Sequence, residues 1–382
     1  MRRTYTTFAA VLAAAAVSAA VADSVIVNED FESYSNETEL NAVWQPWDDG
    51  NPNNIPTFPD DGLLEDGTLD ENNATAFPGD GFGGLQGVDH IGDSVLQYIP
   101  DLGTAGIGDA IEPTATQSIF LSGDIFDTGA AGNKRQSIGL RNTPDPDDGE
   151  AGSSNLIELG FWNADPVNTG YAYRTILFGS GSSNWAEAVF DPSLDREDDA
   201  DEIVNPADIG AGWHRYTATV TPTDVTITVD LFRNGVNEAT EEPGVDFEVT
   251  VPAVFAPGGF DSLRFGGPSS VTSPGSNGIG NVVYDNIFLA LVDAVRGDYN
   301  GDGQVDAADY TVWRDTLGDR VAFPGDGADG NLNQIIDIGD FELWSANFGQ
   351  SISPPATATI PEPASAMLLA VLPALALRGR RR

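Results

Sequence analysis

Two aspartate-rich stretches near the carboxyl end of the chain have the residue types and the spacing of calcium-binding loops. The first, "DYNGDGQVDAAD", begins at Asp298, and the second, "DGNLNQIIDIGD", begins at Asp329, so that they align without gaps at an offset of 31 residues. Side-chain oxygens fall at loop positions 1, 3, 5, 9 and 12, and position 7 can add a backbone carbonyl, as in loops that surround Ca²⁺. The predicted ligands are Asp298, Asn300, Asp302, Gln304, Asp306 and Asp309 in the first loop and Asp329, Asn331, Asn333, Ile335, Asp337 and Asp340 in the second.

The two loops should not bind calcium equally. At positions 5 and 6 the first loop has Asp302 and Gly303, whereas the second has Asn333 and Gln334. The second loop therefore has one carboxylate fewer, and a non-glycine residue held at positive φ at the sharp turn costs about 1–2 kcal/mol. We predict two Ca²⁺ sites, of which the second is weaker by at least about tenfold.

Each loop runs into a short segment with aromatic and aliphatic residues at helical spacing. This i, i+3, i+7 pattern predicts a helix with one apolar stripe, and two such stripes can pack against each other. The stripe residues are Tyr310, Trp313 and Leu317 after the first loop and Phe341, Trp344 and Phe348 after the second.

The duplicated loop and helix resemble a type I dockerin, with residues 295–349 as the candidate domain. The resemblance implies a calcium-stabilised domain that assembles with a cohesin-like surface protein. Where cohesin-binding dockerins often carry polar pairs, at positions 10 and 11, this chain has Ala307-Ala308 and Ile338-Gly339. A calcium-stabilised spacer, or a domain that binds a divergent partner, is the alternative.

The charge and the cysteine count restrict the partners and the means of stabilisation. The 382 residues include 17 basic and 59 acidic side chains, which gives a formal net charge of −42. This charge argues against nucleic acid and anionic lipid as partners and suits a metal counter-ion. The chain contains no cysteine, so that disulfides cannot stabilise it and metal ions are the remaining option.

Residues 23–294 contain short β-type runs separated by Gly, Pro, Asn and Asp clusters, without a long amphipathic helical segment. In the clearest pair, apolar residues alternate with polar ones over 216–220 and 225–231, on either side of a turn at Pro222-Thr223-Asp224. This alternation indicates a half-buried antiparallel hairpin. We predict a mainly β chain, an antiparallel two-sheet jelly-roll sandwich followed by a small α-helical calcium-binding domain.

The passage from "GWHRYTATV" to "LFRNG" resembles the tryptophan-strand-turn-strand segment of concanavalin A-like, laminin-G-like jelly rolls. The resemblance implies a domain that binds or cleaves polysaccharide. Fold alone does not decide between these activities, so that the choice depends on particular residues.

The clearest candidate for catalysis is the acidic run that contains Glu197, Asp199 and Glu202. Its E-x-D-x-x-E spacing resembles that of laminarinase-type glycosidases, in which two carboxyls face one cleft from a single strand. Two of the three intervening residues are also acids, and prolines at 192 and 206 flank the segment, which does not fit a half-buried strand. We therefore interpret it as a solvated loop and assign no catalytic residue.

Other residues could serve a site, and each has an ordinary structural explanation. Asp246 and Glu248 lie two apart, as on an exposed strand face, and His90 and His214 are too few for a histidine-based zinc site. Five tryptophans could include a sugar-stacking surface, although core packing is the default. They are Trp44, Trp47, Trp162, Trp185 and Trp213.

Both ends of the chain look like sorting signals. Residues 1–22 begin with basic residues and continue as an alanine-rich apolar run, which predicts a signal peptide. Residues 361–382 combine Pro-Glu-Pro, a short apolar stretch and a basic cluster, an order that resembles the PEP-CTERM signal of Gram-negative bacteria. The resemblance implies processing by an exosortase after transient membrane association. Residues 350–360 form a Pro/Ser/Thr linker.

Together these features predict an exported, calcium-binding and non-catalytic protein of the cell surface, outer envelope or exopolysaccharide matrix. We expect the jelly roll to bind glycan and the dockerin-like domain to mediate assembly. The first alternative is a glycoside hydrolase or lyase, and the second is a purely structural surface protein.

Overall fold

A computed structural model gives the structure of residues 24–34, 37–40, 42–46, 63–65, 87–90, 95–98, 110–127, 136–142, 155–162, 169–176, 185–195, 203–266 and 282–351. Several sequence predictions concern residues outside these ranges. They are the signal peptide, Trp47, the acidic residues Glu197, Asp199 and Glu202, the linker beyond residue 351, and the sorting signal.

The described residues are mainly β, with four short α-helices. The strands are β1 (Ser24–Glu29), β2 (Trp44–Pro46), β3 (Leu63–Glu65), β4 (Gly87–His90), β5 (Val95–Tyr98), β6 (Gln117–Asp127), β7 (Ser137–Arg141), β8 (Leu156–Phe161), β9 (Tyr171–Ile176), β10 (Ala186–Glu187), β11 (Gly212–Val220), β12 (Asp224–Asp230), β13 (Val236–Asn237), β14 (Glu242–Pro243), β15 (Phe247–Pro252), β16 (Ser262–Gly266) and β17 (Val282–Asp293). The helices are α1 (Glu37–Leu40), α2 (Pro206–Ile209), α3 (Ala307–Thr316) and α4 (Ile338–Asn347). Within these ranges, no helix has the length and apolar character needed to cross a membrane.

Two antiparallel sheets form the sandwich. The eight-stranded sheet has the order β15-β12-β11-β6-β17-β4-β3, with β1 also paired to β17, and the seven-stranded sheet has the order β10-β9-β8-β7-β16-β5-β2. Neighbours in the sheets are often distant in sequence, as when β6 lies between β11 and β17. This arrangement confirms the predicted jelly-roll sandwich.

The predicted hairpin forms strands β11 and β12. Tyr216 pairs with Val229 and Val220 with Val225, and all four side chains are buried. Thr221 closes the turn, because its hydroxyl accepts a hydrogen bond from the backbone N–H of Asp224 at 3.0 Å. The alternation in the sequence thus gave both the pairing and the buried face.

The core lies between the inner faces of the two sheets. Strand β6 approaches the opposite sheet so closely at Gly123 that a Cβ atom there would overlap the Ile138 side chain. A bulge in β17 between Asp285 and Phe288 shifts the register by one residue. Tyr284 and Ile287 therefore both face the core, although they are three residues apart.

Helices α3 and α4 pack together through aromatic rings. The Trp313 ring lies 5.0 Å from that of Phe341, and the Tyr310 ring lies 5.5 Å from that of Trp344. The third member of each predicted stripe is wrong: the helices end before Leu317 and Phe348, whose side chains are about half exposed. Their ψ angles of 124° and 128° are not helical, so that the helical spacing no longer applies to them.

Candidate functional site

The predicted calcium loops are folded around the carboxylates at position 1. Asp298 accepts hydrogen bonds from the backbone N–H groups of Asp302 at 3.1 Å and Gly303 at 2.7 Å. Asp329 does the same for Asn333 at 3.0 Å and Gln334 at 2.9 Å. Each carboxylate therefore curls its own loop into a turn that brings the other ligand positions around it.

The aspartate at position 12 closes each loop. Asp309 accepts hydrogen bonds from the backbone N–H groups of Asn300 at 3.0 Å and Asp306 at 2.8 Å. Asp340 bonds the equivalent N–H groups of Asn331 at 2.9 Å and of loop position 9 at 2.7 Å. Positions 9 and 12 also form the capping box of the following helix, so that the same hydrogen bonds close the loop and start the helix.

The two repeats are tied to each other by reciprocal contacts. Trp313 donates its indole N–H to the Asp337 carbonyl at 2.7 Å, and Trp344 donates to the Asp306 carbonyl at 2.8 Å. The residue at loop position 7 forms an antiparallel bridge in both repeats. Gln304 pairs with Ser351, and Ile335 pairs with Arg320, which follows α3. These contacts have the same 31-residue offset as the sequences, so that the repeats form one domain with approximate twofold symmetry.

The donors of each loop fit calcium chemically. Every predicted side-chain ligand offers oxygen, and hard oxygen donors in a flexible loop are what Ca²⁺ prefers. Burial is the main cause that raises the pKa of Asp340 to about 7 and of Asp329 to about 6, and the charges of Asp329 and Asp337 contribute to the rise at Asp340. Burial likewise raises the pKa of Asp309. A divalent cation would offset this accumulation of buried negative charge.

Carboxylates alone do not complete either loop. Within the described part of the chain, no group of three or more His, Cys, Asp or Glu side chains stands close enough to hold a metal ion. A calcium ion in these loops would therefore also need oxygens from Asn300 or Asn331 and from the position 7 carbonyls.

The second loop has the backbone strain that its sequence predicts. Gly301 and Gly303, at positions 4 and 6 of the first loop, have φ values of 72° and 87°. Leu332 and Gln334 occupy the same positions in the second loop with φ values of 69° and 65°. The prediction for Gln334 is confirmed, and Leu332 adds a second non-glycine residue in the left-handed region.

The strained residues of the second loop contact the β-sandwich. Leu332 is buried in an apolar cluster with Phe120, Phe288, Ala290 and Val292 on the outer face of the eight-stranded sheet. The Phe323 ring stacks on the same cluster, 6.1 Å from that of Phe288.

Two buried arginines hold the neighbouring positions of this loop. Arg215 donates to the Asn333 carbonyl at 3.4 Å, and Arg233 donates to the Gln334 side-chain oxygen at 3.4 Å. Both guanidinium groups pair with the fully buried Asp124, each with a nitrogen 2.8 Å from a carboxylate oxygen. The second loop is therefore docked on the sandwich.

A second candidate site lies on the opposite side of the sandwich, on the outer face of the seven-stranded sheet. Strand register aligns Gln97, Arg264, Gly139, Glu158 and Arg174 in one row across five adjacent strands. We call this surface the arginine face, and its side chains are Gln97, Arg141, Glu158, Arg174, Trp185 and Arg264.

Ion pairs and an aromatic ring organise the arginine face. The two carboxylate oxygens of Glu158 pair with Arg141 on one side and with Arg174 on the other. Arg174 also lies over the Trp185 ring, with 5.1 Å between its guanidinium carbon and the ring centroid. Trp185 in turn stacks on Trp162 at 5.2 Å, with an angle of 14° between the rings.

The arginine face presents hydrogen-bond donors in excess. Arg264 donates to Gln97 at 2.8 Å and to Ser262 at 3.0 Å. Burial, followed in importance by the charge of Arg141, lowers the pKa of Arg264 to about 8. Four buried donor atoms of this face have no hydrogen-bond partner among the described residues. They are Gln97 Nε2, Arg141 Nε, Arg174 Nε and Trp185 Nε1.

The remaining sequence candidates have structural roles. Trp44 is fully buried in the core, where it donates to Glu29 at 3.0 Å, and Trp213 packs against Phe126 and Val283. His214 is also buried, and its Nδ1 accepts the Phe232 N–H at 3.2 Å, in agreement with an ordinary strand residue.

The two acids of the predicted strand-face pair have separate roles. Asp246 lies just before β15 and accepts N–H groups of Leu231 at 2.7 Å and Glu238 at 2.6 Å, whereas Glu248 is exposed on that strand. His90 is the last residue of β4.

The arginine face was not predicted from the sequence, although its strands were. The runs "QSIGLRN", "NLIELGFW" and "YAYRTILFG" each contain a single charged residue at a position facing away from the core. That pattern was the available signal. It could not be read as a site because the strand order, which brings β7, β8, β9 and β16 side by side, is not local information.

No family model matches the chain, and no curated protein matches it by sequence. Among solved structures, domain 4 of AbnA, a GH43 extracellular arabinanase from Geobacillus stearothermophilus in complex with arabinotriose, is 15% identical and has a TM-score of 0.29, over 61% of this chain and 82% of that one. The cellulose induced protein Cip1 is 13% identical with a TM-score of 0.34, over 69% and 96%. Lectin II from Ulex europaeus is 8% identical with a TM-score of 0.30, over 63% and 94%. At these values the likeness concerns the sandwich fold alone.

Proposed function

We propose that this protein is an exported, calcium-binding and non-catalytic glycan-binding protein. The arginine face binds the glycan, and the docked loop domain is a calcium-stabilised unit that also offers a surface for assembly. The observation that carries the proposal is the row of polar side chains across five strands, with buried donors that lack partners among the described residues.

This observation supports a ligand because buried donors without acceptors destabilise a fold. An unsatisfied buried donor costs about 1–3 kcal/mol, and four of them on one surface require either a ligand or water. A sugar supplies ring oxygens and hydroxyls as acceptors for these donors, which include the indole N–H of Trp185.

Binding is favoured over hydrolysis by the chemistry of the face. Retaining or inverting hydrolysis needs two carboxyls that face one glycosidic bond. In the described row across the sheet, Glu158 is the carboxylate, and both of its oxygens already pair with arginines. Its place between Arg141 and Arg174 suits it to positioning these two arginines.

Calcium binding by the loops is supported by the oxygen donor set and by the burial of three loop aspartates. In each loop, the ligands would be those at positions 1, 3, 5, 7, 9 and 12. When bound, the ion would supply positive charge, and the chain itself orients the donors through the N–H bonds of its position 1 and position 12 carboxylates.

A glycan array probed with the full chain tests the proposal, with Trp185→Ala and Trp213→Ala as matched variants. Both tryptophans are similarly buried, but Trp213 lies on the other sheet. We expect binding by the parent chain and a loss of about tenfold with Trp185→Ala only. Equal losses in the two variants would contradict the assignment of the face.

The enzyme alternative is tested on the same samples by the release of reducing ends and of unsaturated products. We expect neither product. If product does form, a variant with Glu197→Gln and Glu202→Gln shows whether the acidic run is responsible, since loss of a nucleophile or an acid/base lowers kcat by at least about a hundredfold.

Export and tail processing are parts of the same proposal. We expect the mature protein to start near residue 23 and to end near residue 363 after exosortase processing, and to wash off membranes. Mass spectrometry of the native product checks both ends, and finding residues 378–382 on a membrane-embedded product would contradict the processing.

A further inference from the structure

We infer that the ligand of the arginine face is an acidic glycan, a polymer of uronic acid residues whose carboxylates are bound by Arg141, Arg174 and Arg264. The inference rests on the proposed glycan-binding function and adds the chemical class of the ligand.

The first argument is the local charge. The whole chain has a net charge of −42 with 17 basic residues, yet three arginines lie together on this one surface. Two of them share the single carboxylate Glu158, and the third, Arg264, is bonded to the neutral side chains of Gln97 and Ser262. Among the described residues of the face, guanidinium groups therefore outnumber carboxylates, although the protein as a whole is strongly acidic.

Two further acids lie near the face. Asp261 lies close enough to Arg264 to act on it, but burial and Arg141 outweigh Asp261 and Glu158, since the pKa of Arg264 stays below its usual range. Glu187, at the edge of the sheet in β10, accepts the backbone N–H of Thr169 at 2.8 Å. An anionic ligand would add a second carboxylate to Arg141 and Arg174, which share Glu158.

The second argument is the type of the atoms without partners. Gln97 Nε2, Arg141 Nε, Arg174 Nε and Trp185 Nε1 are all donors, and none can accept a hydrogen bond. A ligand that satisfies them must be rich in acceptors. A carboxylate accepts through both oxygens and matches the planar guanidinium geometry, whereas each hydroxyl of a neutral sugar also brings a donor that needs its own acceptor.

The net charge of the protein does not prevent such binding. At physiological ionic strength the Debye length is about 8 Å, so that exposed acids farther away are largely screened from the ligand. Arg141 and Arg174, whose side chains are 15% and 21% exposed, reach the surface and are the groups that a polymer would meet.

The test compares acidic polymers with their neutral counterparts on the full chain. The probes are polygalacturonate, polyglucuronate and alginate, each beside its carboxyl-reduced form, which keeps the linkage and removes the charge. We expect at least one acidic polymer to bind about tenfold or more tightly than its reduced form, as loss of a charge-assisted hydrogen bond implies.

Two substitutions of opposite sign separate ligand binding from a merely structural role. Arg174→Gln should weaken binding of the acidic polymer about tenfold, whereas Glu158→Gln, which removes the competing carboxylate, should keep or strengthen it. Arg314→Gln, at an exposed pair with Asp315, is the charge-matched control and should change nothing. Circular dichroism shows whether Arg174→Gln folds. If it does not, the Glu158→Gln variant and the comparison of acidic with carboxyl-reduced polymers still test whether the face binds an acidic ligand.

Each result has one meaning. Tight binding of neutral glycans with equal or weaker binding of every acidic polymer overturns the acidic class while the proposed function stands. A chain that binds no glycan, charged or neutral, contradicts the proposed function itself. Equal losses of acidic-polymer affinity in Arg174→Gln and Glu158→Gln would mean that the ion pairs only support the fold.

Discussion

The two loops have the same ligand pattern, but they differ in what surrounds them. The hydrogen bonds described for the first loop join residues of that loop, as between Asp298 and Gly303, or join it to the second repeat, as between Tyr299 and Asp340. The second loop is bonded to the sandwich through Arg215 and Arg233, and its Leu332 is buried in the sandwich surface. A repeat can therefore keep its pattern of predicted ligands while its remaining positions become an interface.

The two loops differ at positions 4 and 6, where a calcium loop normally has glycine. Positions 4 and 6 need a positive φ, and in the first loop glycine adopts it without a Cβ penalty. In the second loop Leu332 and Gln334 accept the strain, and their side chains make contacts that glycine cannot make. Backbone strain that persists in a fold is held by the structure around it, and here that structure is the docked sandwich.

The loops also differ at position 2, where the first loop has the large residue and the second has glycine. In the first loop Tyr299 donates its hydroxyl to the Asp340 carbonyl at 2.7 Å, which joins the two repeats. Its counterpart in the second loop is Gly330, where a Cβ atom would overlap the Tyr299 hydroxyl. One ring thus fills the space between the repeats, and the symmetry is broken because there is room for only one.

The largest effect is expected from Asp124→Asn. This substitution deprives two buried guanidinium groups of their shared carboxylate and should lower the free energy of unfolding by about 3–5 kcal/mol, as measured by urea denaturation. Asp315→Asn, in an exposed pair with Arg314, is the control and should leave it almost unchanged. Similar small losses in both variants would mean that the buried arginines do not anchor the second loop.

The next effect compares loop position 4 in the two repeats. Leu332→Ala removes a buried side chain from the interface and should lower the free energy of unfolding by about 2–5 kcal/mol. Gly301→Ala adds strain at positive φ in open space, with no atom within 4 Å, and should lower it by about 1–2 kcal/mol. Urea denaturation at saturating Ca²⁺ measures both, and a larger loss in Gly301→Ala would contradict the docking.

A pH effect is expected from Asp230, which lies beside Arg215. Burial raises its pKa from 3.8 to about 7, while N–H bonds from Gly235 and Asn234 and the charge of Arg215 lower it and Asp246 raises it. Because the folded pKa lies above the unfolded one, the stabilising contribution is full below about pH 4 and is lost as the pH rises through about 7.

Asp230→Asn should therefore remove this pH dependence. Between pH 5 and pH 7 we expect the parent to lose about 2 kcal/mol more than the variant in the free energy of unfolding. Asp224→Asn, on the same strand, is the control. Parallel curves for the parent and for Asp230→Asn would show that Asp230 is ionised throughout this range.

The smallest effect is the difference in calcium affinity, for which the loops offer reciprocal substitutions at position 5. We expect the second site of the full chain to be weaker by about tenfold. Asn333→Asp should reduce the difference by strengthening the second site, and Asp302→Asn should reduce it by weakening the first. Calorimetric titration of the chelator-treated chain measures both sites, and equal affinities in the parent would contradict the asymmetry.

Local sequence determined much of this protein. The alternation of apolar residues gave the β11-β12 hairpin with its buried face, and the offset of 31 residues gave the paired loops and helices. The positive φ of Gln334 also followed from its position in the loop. These features depend on residues within a few positions of one another, for which side-chain period and backbone sterics are sufficient.

Tertiary structure decided the rest. The row from Gln97 to Arg174 exists because the sheet order places together strands that are far apart in sequence, and no local pattern contains that order. The sequence predicted no role for Leu332, and only the sandwich surface with Phe120 and Phe288 shows what it contacts. The last residues of the two helices, Thr316 and Asn347, could also not be predicted from the apolar spacing, which continued beyond them. In each case the deciding contact lies across the fold, so that the sequence determined which residues could bind and the packing determined which of them meet.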